Sequence, residues 1–202
     1  MSTNTIITIE RQYGSGGHLI GEKLAESLGI PFYDSELIKV AAKEIFESFD
    51  EKPTTSFLYS LVMDPYSLGY NSNSFDLPLN HKVFLAAFDT IKELASKGPC
   101  VFVGRCADYA LEDFDNCISV YVHAPFEDRI KRIENEYGIP NGKSKEMLMK
   151  KDKQRSSYYN YYSSNKWGDA KSYDLCLNSS YLGIDGSVDL IKKVIAMKES
   201  EK

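Results

Sequence analysis

The stretch IITIERQYGSGGHLIGEKLA, residues 6–25, decides how the rest of the chain is interpreted. It begins with an apolar, β-branched run at residues 6–9, which predicts a buried strand. Glycines follow at positions 14, 16 and 17, and apolar residues then recur at helical spacing as far as Leu28. A strand, a glycine turn and a helix in this order direct backbone N–H groups and a helix N-terminus at one point. This arrangement favours the binding of an oxyanion such as phosphate.

Two side chains that phosphate-binding loops usually carry are replaced in this stretch. The usual pattern ends in Gly-Lys-Ser/Thr, where the lysine reaches the outer phosphates and the hydroxyl holds magnesium. Gly17 stands at the lysine position and His18 at the hydroxyl position. We therefore predict that the anion is bound mainly by the backbone of Gly14, Ser15, Gly16, Gly17 and His18. The alternative is a strand-to-helix turn that binds nothing.

Composition limits the classes of function. The chain has 202 residues and a formal net charge of −5, from 24 basic and 29 acidic residues. This predicts one domain and argues against general affinity for nucleic acids. The four cysteines show no CxxC spacing, so we expect buried, reduced thiols rather than a metal site or disulfides. With no signal peptide and no apolar run that could span a bilayer, we expect a cytoplasmic protein and no membrane partner.

Apolar and polar segments alternate along the chain in a βα fashion. The expected strands are 6–9, 32–33, 100–103, 117–122 and 173–177. The expected helices are the one that follows the glycines and 36–46, 81–97, 107–113, 126–137, 144–162 and 185 onward. Such alternation predicts a three-layer α/β sandwich with a parallel, mostly five-stranded sheet and helices on both faces. An aromatic, polar stretch at about 48–80 interrupts the rhythm, and we interpret it as an insertion on the acceptor side.

Polar residues follow the predicted strands at their carboxyl ends. They are Glu10, Arg11, Asp34, Ser35, Gly104, Arg105, His123, Asn178 and Ser179. Ligands of open α/β sheets bind at this edge, so these residues are expected on one rim. Two arginines, two carboxylates and a phosphate cradle together predict a site that handles nucleotides.

A lid-like segment, about 138–170, is basic although the chain as a whole is acidic. On its helix, Lys151 and Arg155 share a face, with Asp152 beside them. We expect Asp152 to hold Arg155 while Arg155 meets a phosphate, because a positioned arginine stabilises the charge of a phosphoryl group in transfer. A solvated helix face with ordinary ion pairs is the alternative. At least two of the tyrosines at 158, 159, 161 and 162 are expected to pack against the sheet or a neighbouring chain.

Four motifs, taken together, resemble the cytidylate kinase-like family, a branch of the P-loop nucleoside-monophosphate kinases. They are RQYGSGG (11–17), IPFYD (30–34), VGR (103–105) and the stretch from Tyr158 that closes on WGD (167–169). The resemblance covers nearly the whole chain except much of residues 48–80. It implies a P-loop fold, ATP and Mg²⁺ as cofactors, and a small-molecule acceptor.

The resemblance also implies roles for individual residues. The loop falls on Gly14, Gly16 and Gly17, the motif after the second strand on Asp34 and Ser35, and the Gly-Arg on Gly104 and Arg105. Further arginines that would bind substrate fall on Arg129 and Arg132, the catalytic lid motif on Asp152 and Arg155, and a metal-side carboxylate on Glu10. Arg11 is our hypothesis for the substitute of the missing loop lysine, since it leaves the strand just before the loop and its fork suits phosphate.

Three functions remain open at this level. The first is a small P-loop kinase that moves the γ-phosphoryl group of ATP to a nucleoside monophosphate-like or other small acceptor. The second is a module of the same fold that binds a nucleotide or anion with weak or no catalysis, which Gly17 and His18 favour. The third is phosphorylation of a non-nucleotide metabolite. The tyrosine-rich helix and the aromatic insertion also leave a homodimer open.

Overall fold

The computed structural model describes residues 3–38, 79–140 and 142–200. Most of the helix expected at 36–46 lies outside these residues, as does the expected insertion apart from residues 79–80. Residues 35–38 are helical. Asp34 caps this helix as predicted, because its Oδ1 accepts hydrogen bonds from the N–H groups of Glu36 and Leu37, both at 2.9 Å.

Five parallel strands form the sheet, in the order β2-β3-β1-β4-β5. The strands are β1 (Ile6–Arg11), β2 (Phe32–Tyr33), β3 (Val101–Val103), β4 (Cys117–His123) and β5 (Leu175–Asn178). Strand β1 lies at the centre, where Ile7 pairs with Val101 on one side and Ile118 on the other. Every residue of β1 is buried, as its continuous apolar run predicted.

Helices cover both faces of the sheet, and the predicted α/β architecture is confirmed. They are α1 (Gly17–Leu28), α2 (Leu79–Ser96), α3 (Ala107–Ala110), α4 (Phe126–Glu136), α5 (Ser144–Tyr162) and α6 (Ser179–Ser200), with a 3₁₀ turn at Ala170–Ser172. Because side chains alternate along a strand, Ile7 and Ile9 pack against α1 and α6, while Ile6 packs against α2 and α3. Full burial of each isoleucine contributes about 1.5–3 kcal/mol to this core.

Two predicted boundaries are wrong for identifiable reasons. Ser144 is the first residue of α5 rather than its cap, and its hydroxyl donates to Glu134 Oε1 at 2.6 Å. Strand β5 starts at Leu175, because Tyr173 packs into an aromatic cluster with Tyr121 and Tyr159 instead of extending the ladder. Helix α6 is interrupted at Gly183, where φ is 68°, so a short helical stretch at 179–182 precedes the terminal helix that was expected from 185 onward.

The described residues include no helix that is both long and apolar enough to cross a bilayer. The four cysteines form no disulfide. Cys100 and Cys106 are buried as predicted, but Cys117 is only partly buried and Cys176 is exposed, so the expectation of burial is wrong for Cys176. Burial raises the pKa of Cys100 and Cys117 to about 12, so both stay protonated near neutral pH.

Candidate active site

The glycine loop, residues 12–18, turns sharply between β1 and α1. Gly14 and Gly16 have φ angles of 74° and 79°, a region in which side chains are strained. A Cβ at Gly14 would lie 2.9 Å from Ile133 Cγ2 and 3.0 Å from the carbonyl oxygen of Arg129. Helix α4 therefore packs directly on the loop, and only glycine fits between them.

The N–H groups of the glycine loop divide into two sets. Tyr13 N–H donates to Asp152 Oδ1 at 2.7 Å, Ser15 N–H to the Gln12 carbonyl at 3.3 Å, and Gly17 N–H to Ser15 Oγ at 3.4 Å. Within the described part of the chain, no hydrogen bond engages the N–H groups of Gly14, Gly16 or His18. These three amides can bind an oxyanion. Ser15 contributes no exposed hydroxyl, because its buried Oγ donates to the Gln12 carbonyl at 2.8 Å.

Three arginines hold the carbonyl side of the loop region. Arg155 donates to the carbonyl of Arg11 at 3.0 Å, Arg129 to that of Tyr13 at 3.2 Å and Arg132 to that of Gly14 at 2.9 Å. These three hydrogen bonds tie the loop region to helices α4 and α5. The structure thus places Arg129 and Arg132 on the loop itself, and direct contact with a substrate stays a prediction for both.

Asp152 pairs with a different arginine from the one that the helical spacing indicated. Its Oδ2 accepts from Arg129 Nη1 at 2.5 Å, whereas Arg155 contacts a backbone carbonyl. The expected Asp152–Arg155 pair is therefore wrong. Asp152 bridges helix α4 and the loop, because its Oδ1 also accepts from Tyr13 N–H.

Arg11 is buried at the end of β1, with its side chain beside Glu10 and close to Arg155. Its Nη1 lies 3.9 Å from Glu10 Oε2, and its Nε has no hydrogen-bond partner among the described residues. Burial, reinforced by the positive charge of Arg155, lowers the pKa of Arg11 to about 9. The guanidinium still carries its charge near neutral pH, and a bound anion would stabilise it.

Arg105 follows β3 in a turn of unusual backbone conformation. Gly104, Arg105 and Cys106 have φ angles of 83°, 62° and 54° in succession. Left-handed non-glycine residues cost roughly 1–3 kcal/mol each and occur often at functional sites. Arg105 lies over the ring of Tyr158, with Cζ 5.4 Å from the ring centroid. The turn therefore holds a further arginine near the edge where the sheet ends.

Glu10 and Asp34 are the two rim carboxylates that the sequence predicted. Glu10 is buried, and its Oε2 accepts from Trp167 Nε1 at 3.3 Å. Asp34 Oδ2 lies 3.2 Å from His18 Nε2, so the structure brings these two predicted residues together. Burial acts to raise the pKa of Asp34, but hydrogen bonds from Leu37, His18 and Glu36 outweigh it and lower the pKa. Ser35 follows as the first helical residue.

A cavity of about 410 Å³ opens over the glycine loop. Its lining includes Arg11, Gly14, Gly16, His18 and Arg155. Tyr13 and Tyr137 form part of the wall, with ring centroids 5.9 Å apart in an edge-on arrangement. The glycine loop and the buried Arg11 therefore line one space of the size that small-molecule sites have.

The sequence reasoning missed one buried polar pair near this site. Tyr159 OH donates to Asp108 Oδ2 at 2.5 Å, and Asp108 Oδ1 has no partner in the described part of the chain. Burial, reinforced by the negative charge of Glu10, raises the pKa of Asp108 to about 7. No local motif marks this pair, since its members are 51 residues apart.

Comparisons with known proteins agree with this geometry. The model of the cytidylate kinase-like family matches residues 6–181. A cytidylate kinase of Ignicoccus hospitalis is 22% identical over 191 residues, which span 95% of this chain and 99% of the relative. A solved structure of an uncharacterized protein from Eubacterium ventriosum is 30% identical, with a TM-score of 0.75 over 95% of this chain and 98% of the other.

A gluconokinase from Sinorhizobium meliloti supports the fold alone. It is 13% identical, with a TM-score of 0.59 over 100% of this chain and 99% of its own. Because the family match extends from the first strand past the last and includes the glycine loop, this chain belongs to the cytidylate kinase-like family.

Proposed function

We propose that this chain transfers the γ-phosphoryl group of ATP to a small acceptor of the nucleoside-monophosphate type. The observation that carries the proposal is that one cavity is lined by the buried Arg11 and by Gly14, Gly16 and His18, whose N–H groups have no hydrogen-bond partner among the described residues. Amides at a helix N-terminus bind phosphate oxygens, and a guanidinium binds them in a bidentate manner. The family match supports the phosphotransfer class.

The chain's own residues would act mainly by position and charge. The amides of the glycine loop would hold the phosphates of ATP, and Arg11 would face the oxygens that gain charge during transfer. Arg155 and Asp152 would act indirectly, because their hydrogen bonds fix the Arg11 carbonyl and the Tyr13 N–H. This catalysis requires no covalent intermediate, since orientation and electrostatics supply most of it.

Mg²⁺ fits the residues present. The ion is commonly held by one or two carboxylates together with substrate phosphates. Glu10 supplies a buried carboxylate beside the loop, and no cluster of three metal-ligating side chains occurs in the described residues. We propose that Glu10 holds the ion, directly or through water. Bound Mg²⁺ would neutralise charge between the β- and γ-phosphates.

The acceptor would lie on the side of β2 and β3, where Asp34, Ser35 and Arg105 end those strands. Arg105 supplies a cation for an acceptor phosphate. Relatives named cytidylate kinase place CMP first among the acceptors to test.

One observation favours the alternative, a binding module with weak or no transfer. The loop lacks the lysine and hydroxyl of the usual pattern. Arg129 and Arg132 are each engaged by a loop carbonyl, and Arg155 is engaged by the carbonyl of Arg11 just before the loop. Arg11 would then hold the anion without driving its transfer.

A panel of acceptors separates the two functions. Wild-type protein with ATP and Mg²⁺ is tested against nucleoside monophosphates and small metabolites in a coupled assay, and ATP affinity is measured by calorimetry. We expect transfer to at least one monophosphate. For Arg11→Ala we expect a fall in turnover on the order of a hundredfold. Lys23→Ala, which removes an exposed cation of α1 paired with Asp185, is the control.

Turnover and affinity that survive in Arg11→Ala would contradict the role of Arg11. ATP binding without transfer to any acceptor would favour the binding module.

A further inference from the structure

The space around Gly17 requires a glycine, although its backbone conformation does not. It is the first residue of α1, and its φ lies outside the left-handed region that favours glycine. A Cβ at this position would lie 2.6 Å from Arg11 Cβ, 3.1 Å from Arg11 Cγ and 3.2 Å from Val122 Cβ. Real Cβ atoms do not approach backbone-attached carbons so closely. The Cβ of Arg11 is therefore the main obstacle to a side chain at position 17, and Val122 is a lesser one.

The far end of Arg11 also lies against a glycine. A Cβ at Gly104 would lie 2.1 Å from Arg11 Nη1. The side chain thus runs from Gly17 to Gly104 through a slot that side chains at those two positions would fill. Arg11 stands at the last residue of β1, so the slot passes between the glycine loop and the turn after β3.

Charge at the end of this slot is incompletely balanced. Glu10 Oε2 is 3.9 Å from the guanidinium, Arg105 and Arg155 add positive charge nearby, and Arg11 Nε has no partner within the described chain. A buried cation in such surroundings is stabilised by an anion that enters the cavity.

We propose that the phosphate-binding cation of this chain stands at position 11 instead of position 17, and we call this the exchange of cation position. The end of strand β1 supplies the positive charge as Arg11, and the Arg11 side chain leaves no room for a lysine at position 17. This inference rests on the proposed function for the identity of the anion, ATP. It goes further in stating that the two positions depend on each other. A lysine at position 17 can act only in a chain whose position 11 is glycine.

Thermal unfolding tests the steric half of the exchange. In the wild-type background, Gly17→Ala should lower the Tm by roughly 2–10 °C, as overpacking does in a domain of this size. The loss should persist with Arg11→Ala, which keeps the Cβ. It should become clearly smaller with Arg11→Gly, which removes that Cβ and leaves only the 3.2 Å contact with Val122 Cβ. Gly186→Ala is the control, because a Cβ there meets only Leu182 at an ordinary 3.8 Å.

Anion binding tests the functional half, with ATP and inorganic pyrophosphate as probes in calorimetry. Arg11→Gly should weaken binding about 10- to 100-fold, the loss expected for one hydrogen bond to a charged group. Gly17→Lys alone should not strengthen binding, and Arg11→Gly combined with Gly17→Lys should recover most of the loss. Circular dichroism of each variant separates lost binding from lost folding.

The outcomes of the two halves are distinguishable. Equal affinity of Arg11→Gly and the wild type, or no recovery in the folded double variant, would overturn the exchange and leave the proposed function standing. Recovery of binding with no phosphoryl transfer in any variant would overturn the proposed function and leave the exchange standing. An equal fall in Tm for Gly17→Ala in all three backgrounds would also overturn the exchange.

Discussion

The glycine loop and helix α5 border the same cavity, but they act by different physical means. The loop offers backbone N–H groups, and contacts such as Ser15 to Gln12 are local. Helix α5 offers side chains whose partners are remote in sequence: Asp152 binds Tyr13 N–H across 139 residues, and Tyr159 binds Asp108 across 51. A local feature can be predicted from a short stretch of sequence, whereas a remote partner cannot.

The two halves of α5 differ from each other as well. Its middle holds the loop through Asp152 and Arg155, and its end is packed among aromatic rings, with Tyr162 stacked on Phe84 at 4.1 Å. Tyr159 is only 1% exposed. Movement of the whole helix away from the loop would break both sets of contacts. The lid-like segment is therefore anchored at two places along its helix.

The largest expected effect comes from breaking the bridge that Asp152 forms between helix α4 and the loop. Arg129→Ala leaves the Asp152 carboxylate without its cation in a largely buried place, and we expect a loss of about 3–5 kcal/mol in the free energy of unfolding. Urea unfolding measures it. Lys131→Ala on the same helix, whose side chain is 73% exposed, should change the value by less than about 0.5 kcal/mol. Similar losses in both variants would show that the bridge does not stabilise the fold.

A substitution at Gly14 should destabilise the glycine loop itself. Gly14→Ala combines left-handed strain of about 1–2 kcal/mol with a clash against Ile133 worth about 1–3 kcal/mol. Gly29→Ala isolates the first contribution, because its φ is 66° and nothing lies within 4 Å of a Cβ there. Urea unfolding of both variants gives the difference. Equal losses would mean that α4 yields to the added methyl group.

The anchor at the end of α5 should have a smaller effect. Tyr159→Phe removes the hydrogen bond to Asp108 and leaves that buried carboxyl group unpaired, which costs about 1–3 kcal/mol. Tyr161→Phe is the matched control two residues later, since Tyr161 is 75% exposed. Chemical denaturation compares the two variants. A loss in Tyr159→Phe no greater than in Tyr161→Phe would show that the aromatic packing alone holds the helix.

The smallest effect is a dependence on pH. Because the pKa of Asp108 is raised to about 7 in the folded protein, the folded state binds a proton that the unfolded state releases above about pH 4. This group's contribution to stability is complete below pH 4 and is lost as the pH rises through 7. Asp108→Asn should therefore become more stable relative to the wild type between pH 5 and pH 8.

Asp34→Asn should show the opposite dependence of stability on pH. The lowered pKa of Asp34 contributes stability above pH 4 that is lost as the pH falls below it. Unfolding curves of both variants at four pH values measure the trend. A constant difference between Asp108→Asn and the wild type across this range would contradict the assignment.

Most of the architecture could be predicted from the sequence, because strands and helices leave periodic patterns. Tertiary packing set the boundaries that were predicted wrongly. Tyr173 packs in the aromatic cluster instead of pairing in the strand, and the Ser144 hydroxyl donates to Glu134. The candidate site was predicted as a set of residues on one rim. The ion pairs within the site were not predicted, since Asp152 pairs with Arg129 on a neighbouring helix and not with Arg155 on its own helix.

The sequence by itself determined the strand, glycine loop and helix of residues 6–28. Local spacing, β-branched residues and glycine conformations are short-range properties that a few neighbouring residues specify. Only the tertiary structure decided that Gly17 makes room for Arg11 and that Arg11 reaches Gly104. Those facts depend on which atoms are brought together when strands distant in sequence become neighbours, and no spacing along the chain records such a distance.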